Sequence, residues 1–125
     1  MDAAQTPGDW RYRSAGATTR ASFGLATGGA AGAPLFEMVC ETGGQVLLLR
    51  QGTGGGAMRI LTETTERTLP ATAREGASAA QLTARDPLLD AMAFSKGRFA
   101  VEVTGLPMLF LPAWPEVTRV VEDCR

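Results

Sequence analysis

The chain has 125 residues, 45% hydrophobic and 20% charged, with a formal net charge of −1. That length closes one domain around a modest core, and the charge balance offers no basic field to hold a phosphate backbone, which argues against nucleic-acid binding. Histidine is absent, so Ser–His and Cys–His nucleophile pairs, imidazole metal ligands and a histidine pH switch are excluded, and no apolar run approaches the roughly 20 residues that span a bilayer.

The opening MDAAQTPGDW has no basic n-region and no apolar h-region. Residues 1–8 read as a disordered arm, or as a mature N-terminus behind an added Met1, and 9–125 as a single β-rich domain. Trp10, Tyr12 and Ser14 alternate with Arg11 and Arg13 in a half-buried strand. RASFGLA (20–26) predicts the next, with Ala21, Phe23 and Leu25 on one face. TGGAAGAP (27–34) predicts a loop. LFEMVCE (35–41) sets Phe36, Met38 and Cys40 on one face and Leu35, Glu37, Val39 and Glu41 on the other. TGG turns the chain into QVLLLRQ (45–51), a more continuously apolar strand, and the two form a hairpin.

GTGGG (52–56) reads as a flexible hairpin loop before strands at 57–63 and 67–73, where Pro70 predicts an edge or irregular strand. REGAS (74–78) is a turn into a strand at 79–85. The period then changes. Asp86 and Pro87 supply an N-cap and a first-turn proline for a helix of about 87–96, with Lys96 in the last turn and Gly97 ending it. RFAVEVT (98–104) alternates cleanly, and MLFLP (108–112) follows. Pro115 opens a helix of about 115–124, whose stripe of Val117, Val120, Val121 and Cys124 has the i, i+3, i+4, i+7 spacing of one face.

That stripe places a cysteine near the end of the chain on a buried surface. Cys40, the only other cysteine, lies on the inward face of a strand. A Cys40–Cys124 disulfide would staple the helix across the sheet and place the protein in an oxidising compartment. Two buried free thiols are the alternative.

Candidate chemistry is sparse. GTGGGAMR lacks the Lys and the strand–turn–helix context of a phosphate loop. Ser95 and Lys96 are adjacent, so their side chains diverge on a helix. Glu37, Glu41, Glu63 and Glu102 could share an outer sheet face as paired carboxylates, but read better as a solvated face paired with Arg50, Arg59 or Arg98. Two cysteines without histidine do not make a usual zinc site. Trp10, Tyr12 and Trp114 read as core. GLPMLFLPAW (105–114) is core, or apolar surface for a partner. No catalytic, cofactor-binding or metal-ligating residue is assigned.

PLFEMVCETGGQVLLLRQG, with Trp10 before it and Cys124 after it, resembles small secreted β-rich domains of proteobacterial envelopes. The invasion-associated locus B type and VasI-type proteins are examples. The closing FSKGRFAVEVTGLPMLFLPAWPEVTRVVEDC is similar to the strand-strand-helix ending of uncharacterised alphaproteobacterial proteins. The resemblance covers Trp10, the 35–51 hairpin and the last 30 or so residues. It implies a small β-sandwich, export and no established catalytic residues.

The expected fold is mainly β: an antiparallel sandwich or open barrel of about eight short strands with two short helices. An α+β arrangement of two helices on one sheet is the alternative. The expected function is a non-catalytic exported envelope domain that binds or scaffolds, with another envelope protein as partner, in the periplasm or secreted after removal of a signal or lipid anchor. The alternative is a carrier of a small apolar ligand within a β-barrel, without cofactor; an enzyme ranks third.

Overall fold

The structure, a computed structural model, describes residues 4–25 and 34–125. The predicted 27–34 loop lies outside those residues except for Pro34. Among the described residues the chain forms ten strands and two helices. The strands are β1 (Asp9–Ala15), β2 (Thr18–Gly24), β3 (Phe36–Glu41), β4 (Gln45–Gln51), β5 (Ala57–Leu61), β6 (Glu66–Pro70), β7 (Thr72–Arg74), β8 (Ala77–Thr83), β9 (Arg98–Val103) and β10 (Leu109–Pro112). The helices are α1 (Pro87–Ala93) and α2 (Pro115–Asp123).

All pairings are antiparallel. The strands form a six-stranded sheet of order β1-β2-β3-β4-β8-β7 and a four-stranded sheet of order β10-β9-β5-β6. The fold is therefore a two-sheet sandwich and not a closed barrel. The first four strands meander through the larger sheet. The hairpin β5–β6 then leaves for the smaller one, β7–β8 returns, and β9–β10 leaves again. Pro70 ends β6 on the outer edge of the small sheet, so its missing N–H interrupts no ladder. At the β7–β8 turn Glu75 and Gly76 both have positive φ, 50° and 83°. Two successive positive φ angles are what a two-residue type I′ hairpin turn demands.

Three local expectations are corrected. GTGGG does not close a hairpin: it carries the chain from one sheet to the other. Its backbone runs tightly beside the end of β9, where Gly55 donates to Thr104 O at 3.0 Å. A Cβ on Gly54 would stand 2.4 Å from that same carbonyl oxygen, which explains the glycine. The first helix ends at Ala93, so Lys96 is not in its last turn. Ser95 turns the chain away instead: its hydroxyl donates to Arg98 O at 2.7 Å and accepts from Glu63 N at 3.0 Å. These side-chain bonds compete with continued helix. Leu25, expected on one strand face with Ala21 and Phe23, lies beyond the end of β2 and is 56% exposed while the other two are buried.

The inner face of the large sheet carries Trp10, Phe23, Phe36, Met38, Val46 and Leu48, all buried. Trp10 stacks edge-on against Phe23 and Phe36, and Phe36 meets Phe99 of β9 at a centroid distance of 6.3 Å. The indole N–H of Trp10 donates to Pro112 O at 2.7 Å, which satisfies its one polar atom inside the core. Within the 1–8 arm, Thr6 donates its N–H to Phe110 O and accepts the Phe110 N–H on its hydroxyl, both at 2.8 Å.

The second helix covers the Cys40 end of the same face, with Val117, Val120 and Val121 buried. Cys40 and Cys124 are joined by a disulfide, with Cα atoms 5.4 Å apart, inside the 4.4–6.8 Å range for such bonds. Further contacts hold α2. The hydroxyl of Tyr12 donates to Asp123, a bond that holds the phenol above its ordinary pKa. Arg119 lies 3.9 Å over the Tyr12 ring. Arg125 donates to Ala84 O at 2.7 Å and pairs with Asp90 of α1 at 2.9 Å.

Two stability outcomes follow. Opening the bridge, whose residues are 84 apart in sequence, lowers stability by about 4–5 kcal/mol on chain-entropy grounds. Denaturant melts of wild type and Cys40→Ser/Cys124→Ser measure it, and unchanged midpoints would remove the bridge from the stability argument. At α1, Asp86 accepts from Leu88 N and takes both guanidinium N–H groups of Arg67, at 2.8 and 2.7 Å. The Arg67 bond chiefly holds the Asp86 carboxyl below its ordinary value of 3.8. A depressed folded pKa stabilises above the unfolded pKa, and that stability is lost as pH falls through the folded value. Asp86→Asn keeps the cap and removes the charge, so it costs at most about 1 kcal/mol at neutral pH. The gap between it and wild type closes below about pH 4; a gap that widens in acid would contradict the assignment.

Candidate functional site

Strand alternation gives the large sheet a second face, pointing away from the small sheet. On β3 and β4 that face is also apolar. Val39 and Leu47 are 4% and 6% exposed although their neighbours Met38 and Leu48 already fill the inner core. They pack with Ala79 and the half-buried Leu49 as a cluster separate from the main one. No helix or strand among the described residues packs on this face. The run VLLL in β4 is thus a strand buried on both sides.

The register places charge beside this floor. Arg13 of β1 lies opposite Arg20 of β2, and Arg11 lies opposite Ser22. Arg20 is followed across the sheet by Val39 and then Leu47, and Ser22 by Glu37 and then Leu49. A hollow of about 290 Å³ opens over the β1–β2 end, lined by Arg11, Arg13, Arg20, Ser22 and Glu37 among others. A second, of about 600 Å³, continues from Arg20 and Glu37 over Val39, Leu47 and Leu49 to the β7–β8 turn. The two share Arg20, Pro34 and Glu37. Together they form a trough that is basic at one end and apolar along its floor.

One carboxylate serves the basic end. Glu37 accepts from Arg20 at 3.0 Å and from the Ser22 hydroxyl at 2.6 Å. Arg11 and Arg13 have no acidic partner among the described residues. At the far end Arg74 and Glu41 stand 3.9 Å apart.

The carboxylates expected on one shared face are divided. Glu37 and Glu41 lie on the outer face of the large sheet. Glu102 belongs to the small sheet, where Arg59 bridges it at 2.8 Å to Glu66 at 2.6 Å. Both bonds raise the Arg59 pKa. Glu63 lies in the β5–β6 turn. Arg50, expected to pair with a surface carboxylate, is instead a buried side chain. Its guanidinium donates to Gln51 O and Pro107 O, both at 2.7 Å, and burial lowers its pKa. Ser95 is occupied by backbone partners, and Cys40 and Cys124 are bonded to each other. Among the described residues no three His, Cys, Asp or Glu side chains are grouped to hold a metal ion.

The arginine rim was not singled out by sequence reasoning. Its signal was present in RYR: with Trp10 and Tyr12 inward, Arg11 and Arg13 must point outward together. What was missing was the register that brings Arg20 beside them.

Comparison with protein families, curated proteins and solved structures gave no match.

Like charges directly opposite on neighbouring strands destabilise a sheet. Arg13→Glu, facing Arg20, therefore stabilises the protein by about 0.2–1 kcal/mol. Denaturant melts should show this gain at low salt and lose much of it at 1 M salt, where screening is strong. A loss of stability at low salt would show that Arg13 makes a contact worth more than the repulsion.

Proposed function

We propose that the chain is a non-catalytic binding domain of the cell envelope, working in the periplasm or outside the cell, and that it recognises its ligand on the outer face of the six-stranded sheet. The observation that carries this reading is the trough itself: a concavity over the half-buried Leu49, beside Arg11 and Arg13, which have no acidic partner among the described residues. Apolar surface bordered by polar groups in a concavity is where binding energy and orientation can be combined.

The space between the sheets is a poorer candidate. Phe23, Phe36, Phe99, Met38, Met58 and Leu111 are fully buried there and pack as one core. A carrier of an apolar ligand needs room for it inside a barrel; here the sheets stay open and their interior is occupied by side chains. The Cys40–Cys124 bond is compatible with an oxidising compartment. The absence of any membrane-length apolar helix among the described residues fits a domain that does not cross the bilayer on helices.

Fragment screening by NMR on labelled protein tests the reading. Perturbed amides should cluster on Glu37, Val39, Leu47 and Leu49, and Leu49→Glu should abolish those responses while the remaining spectrum stays folded. Hits that gather around Trp10 and Phe99 would move the site into the core. Turnover of a fragment would replace binding with catalysis. Export is tested by fusing the full reading frame to a reporter active only outside the cytoplasm; an inactive, well-expressed fusion would remove the envelope assignment.

A further inference from the structure

We infer that the free edge of β1 is a docking surface for an extended acidic segment of a partner protein, which adds to the six-stranded sheet as a further strand. The surface is the rim of the sheet and not its face, so the inference goes beyond the trough and does not rest on it.

The edge follows from the first hairpin. Gly16 and Ala17 join β1 to β2, with Gly16 at φ 61°, and the register sets Ala15 opposite Thr18. In such a turn the carbonyl of the first residue accepts from the N–H of the fourth, so Ala15 and Thr18 form a hydrogen-bonded pair. Bonded and non-bonded pairs alternate along an antiparallel ladder, which gives the bonds to β2 to Arg13, Arg11 and Asp9. Trp10, Tyr12 and Ser14 therefore turn their backbone N–H and C=O groups outward. Phe23, opposite Trp10, keeps the same parity: its carbonyl faces β3, where it accepts from Leu35 N at 2.8 Å. Among the described residues no backbone group meets the outward groups of β1.

Sheets blunt their edges with short strands, proline or a covering segment. The other three edges follow that rule. β7 has three residues, and β6 ends on Pro70. β10 has four residues, ends on Pro112 and gives the Phe110 backbone to Thr6. β1 has seven residues in continuous register and no proline. Addition of an extended peptide to such an edge is a general mode of recognition.

Charge selects the occupant. Arg11 and Arg13 are exposed on one side of this edge, without an acidic partner among the described residues, and Arg13 already faces Arg20. A second copy of the chain fits poorly. Pairing two β1 strands antiparallel about Tyr12 sets Arg11 of each against Arg13 of the other, and like charges directly opposite destabilise a sheet. A strand with carboxylates at alternate positions sets them opposite Arg11 and Arg13 instead. Its intervening residues then exchange backbone bonds with Trp10, Tyr12 and Ser14.

A capped peptide of alternating glutamate and valine is the probe. Its comparisons are the same peptide with lysine for glutamate, and the glutamate peptide N-methylated at its valines, whose N–H groups face β1 in this register. In the free protein the Trp10, Tyr12 and Ser14 amides should exchange fast with solvent, and the glutamate peptide should slow them. The lysine and N-methylated peptides should bind at least about tenfold more weakly. Arg11→Gln/Arg13→Gln should weaken the glutamate peptide about tenfold. Ser14→Pro, at an exposed position whose N–H has no partner in the ladder, should weaken it as much while leaving the melting temperature unchanged. No binding of the glutamate peptide, equal binding of the lysine peptide, or full binding by the arginine double variant would overturn the acidic partner. Equal binding of the N-methylated peptide would overturn strand addition. Slow exchange of the three amides in the free monomer would show that this chain already closes its own edge. Slow exchange accompanied by dimerisation would identify a second copy, and either result would overturn the inference.

Discussion

The inner face of a six-stranded sheet must be covered, and a four-stranded partner is too narrow to cover it. That mismatch organises the molecule. The small sheet meets the Phe36 end through Phe99, and α2 lies over the Cys40 end with α1 beside it. A nine-residue helix has little stability of its own, so α2 persists by what holds it down. Its apolar stripe, the disulfide, the Tyr12–Asp123 bond and the two anchors of Arg125 all act on that one element. They draw on β1, β3 and α1, so the helix also ties together parts of the chain that no single strand pairing joins.

Arg50 performs a related task at the other end of the sandwich. It sits in β4 on the inner face, 5% exposed, and reaches Pro107 O between β9 and β10. No carboxylate neutralises it among the described residues; carbonyl oxygens do the work. A buried cation held this way is stabilising only while its geometry is kept, because losing one acceptor leaves charge in a poorly solvating place. Together with Gly54, which lets backbone meet backbone at Thr104, it fixes the spacing between the sheets where the chain crosses from one to the other.

Local patterns revealed most of the elements. Alternation placed 35–41, 45–51 and 98–104 in strands, and the stripe from Val117 to Cys124 gave the last helix and its buried face. Pro70 marked an edge. The errors arose where the answer depended on distant parts of the chain. Nothing in GTGGG tells whether the next strand pairs with the previous one or leaves for another sheet. Lys96 had the ordinary place of a helix-ending cation, and only the reach of Ser95 to Glu63 and Arg98 shows why the helix stops sooner. Arg50 looked like a surface partner because strand parity does not say how far the covering layer extends. The trough was half legible: the unbroken apolar run of β4 implied two buried faces, but the rim needed three strands in register.

The partners of Trp10 have a temporal meaning as well as a spatial one. Trp10 gives its hydrogen to the carbonyl of Pro112, Tyr12 binds Asp123, and Cys40 awaits Cys124. Residues of β1 and β3 thus make contacts across 84 to 111 positions of the chain. Contacts of such long sequence separation fold slowly, because the loop they close must be ordered before they reward it. A chain emerging from a ribosome, or threading through a narrow pore, cannot close this core until α2 has passed. Until then the domain stays open and threadable, and it locks when α2 arrives.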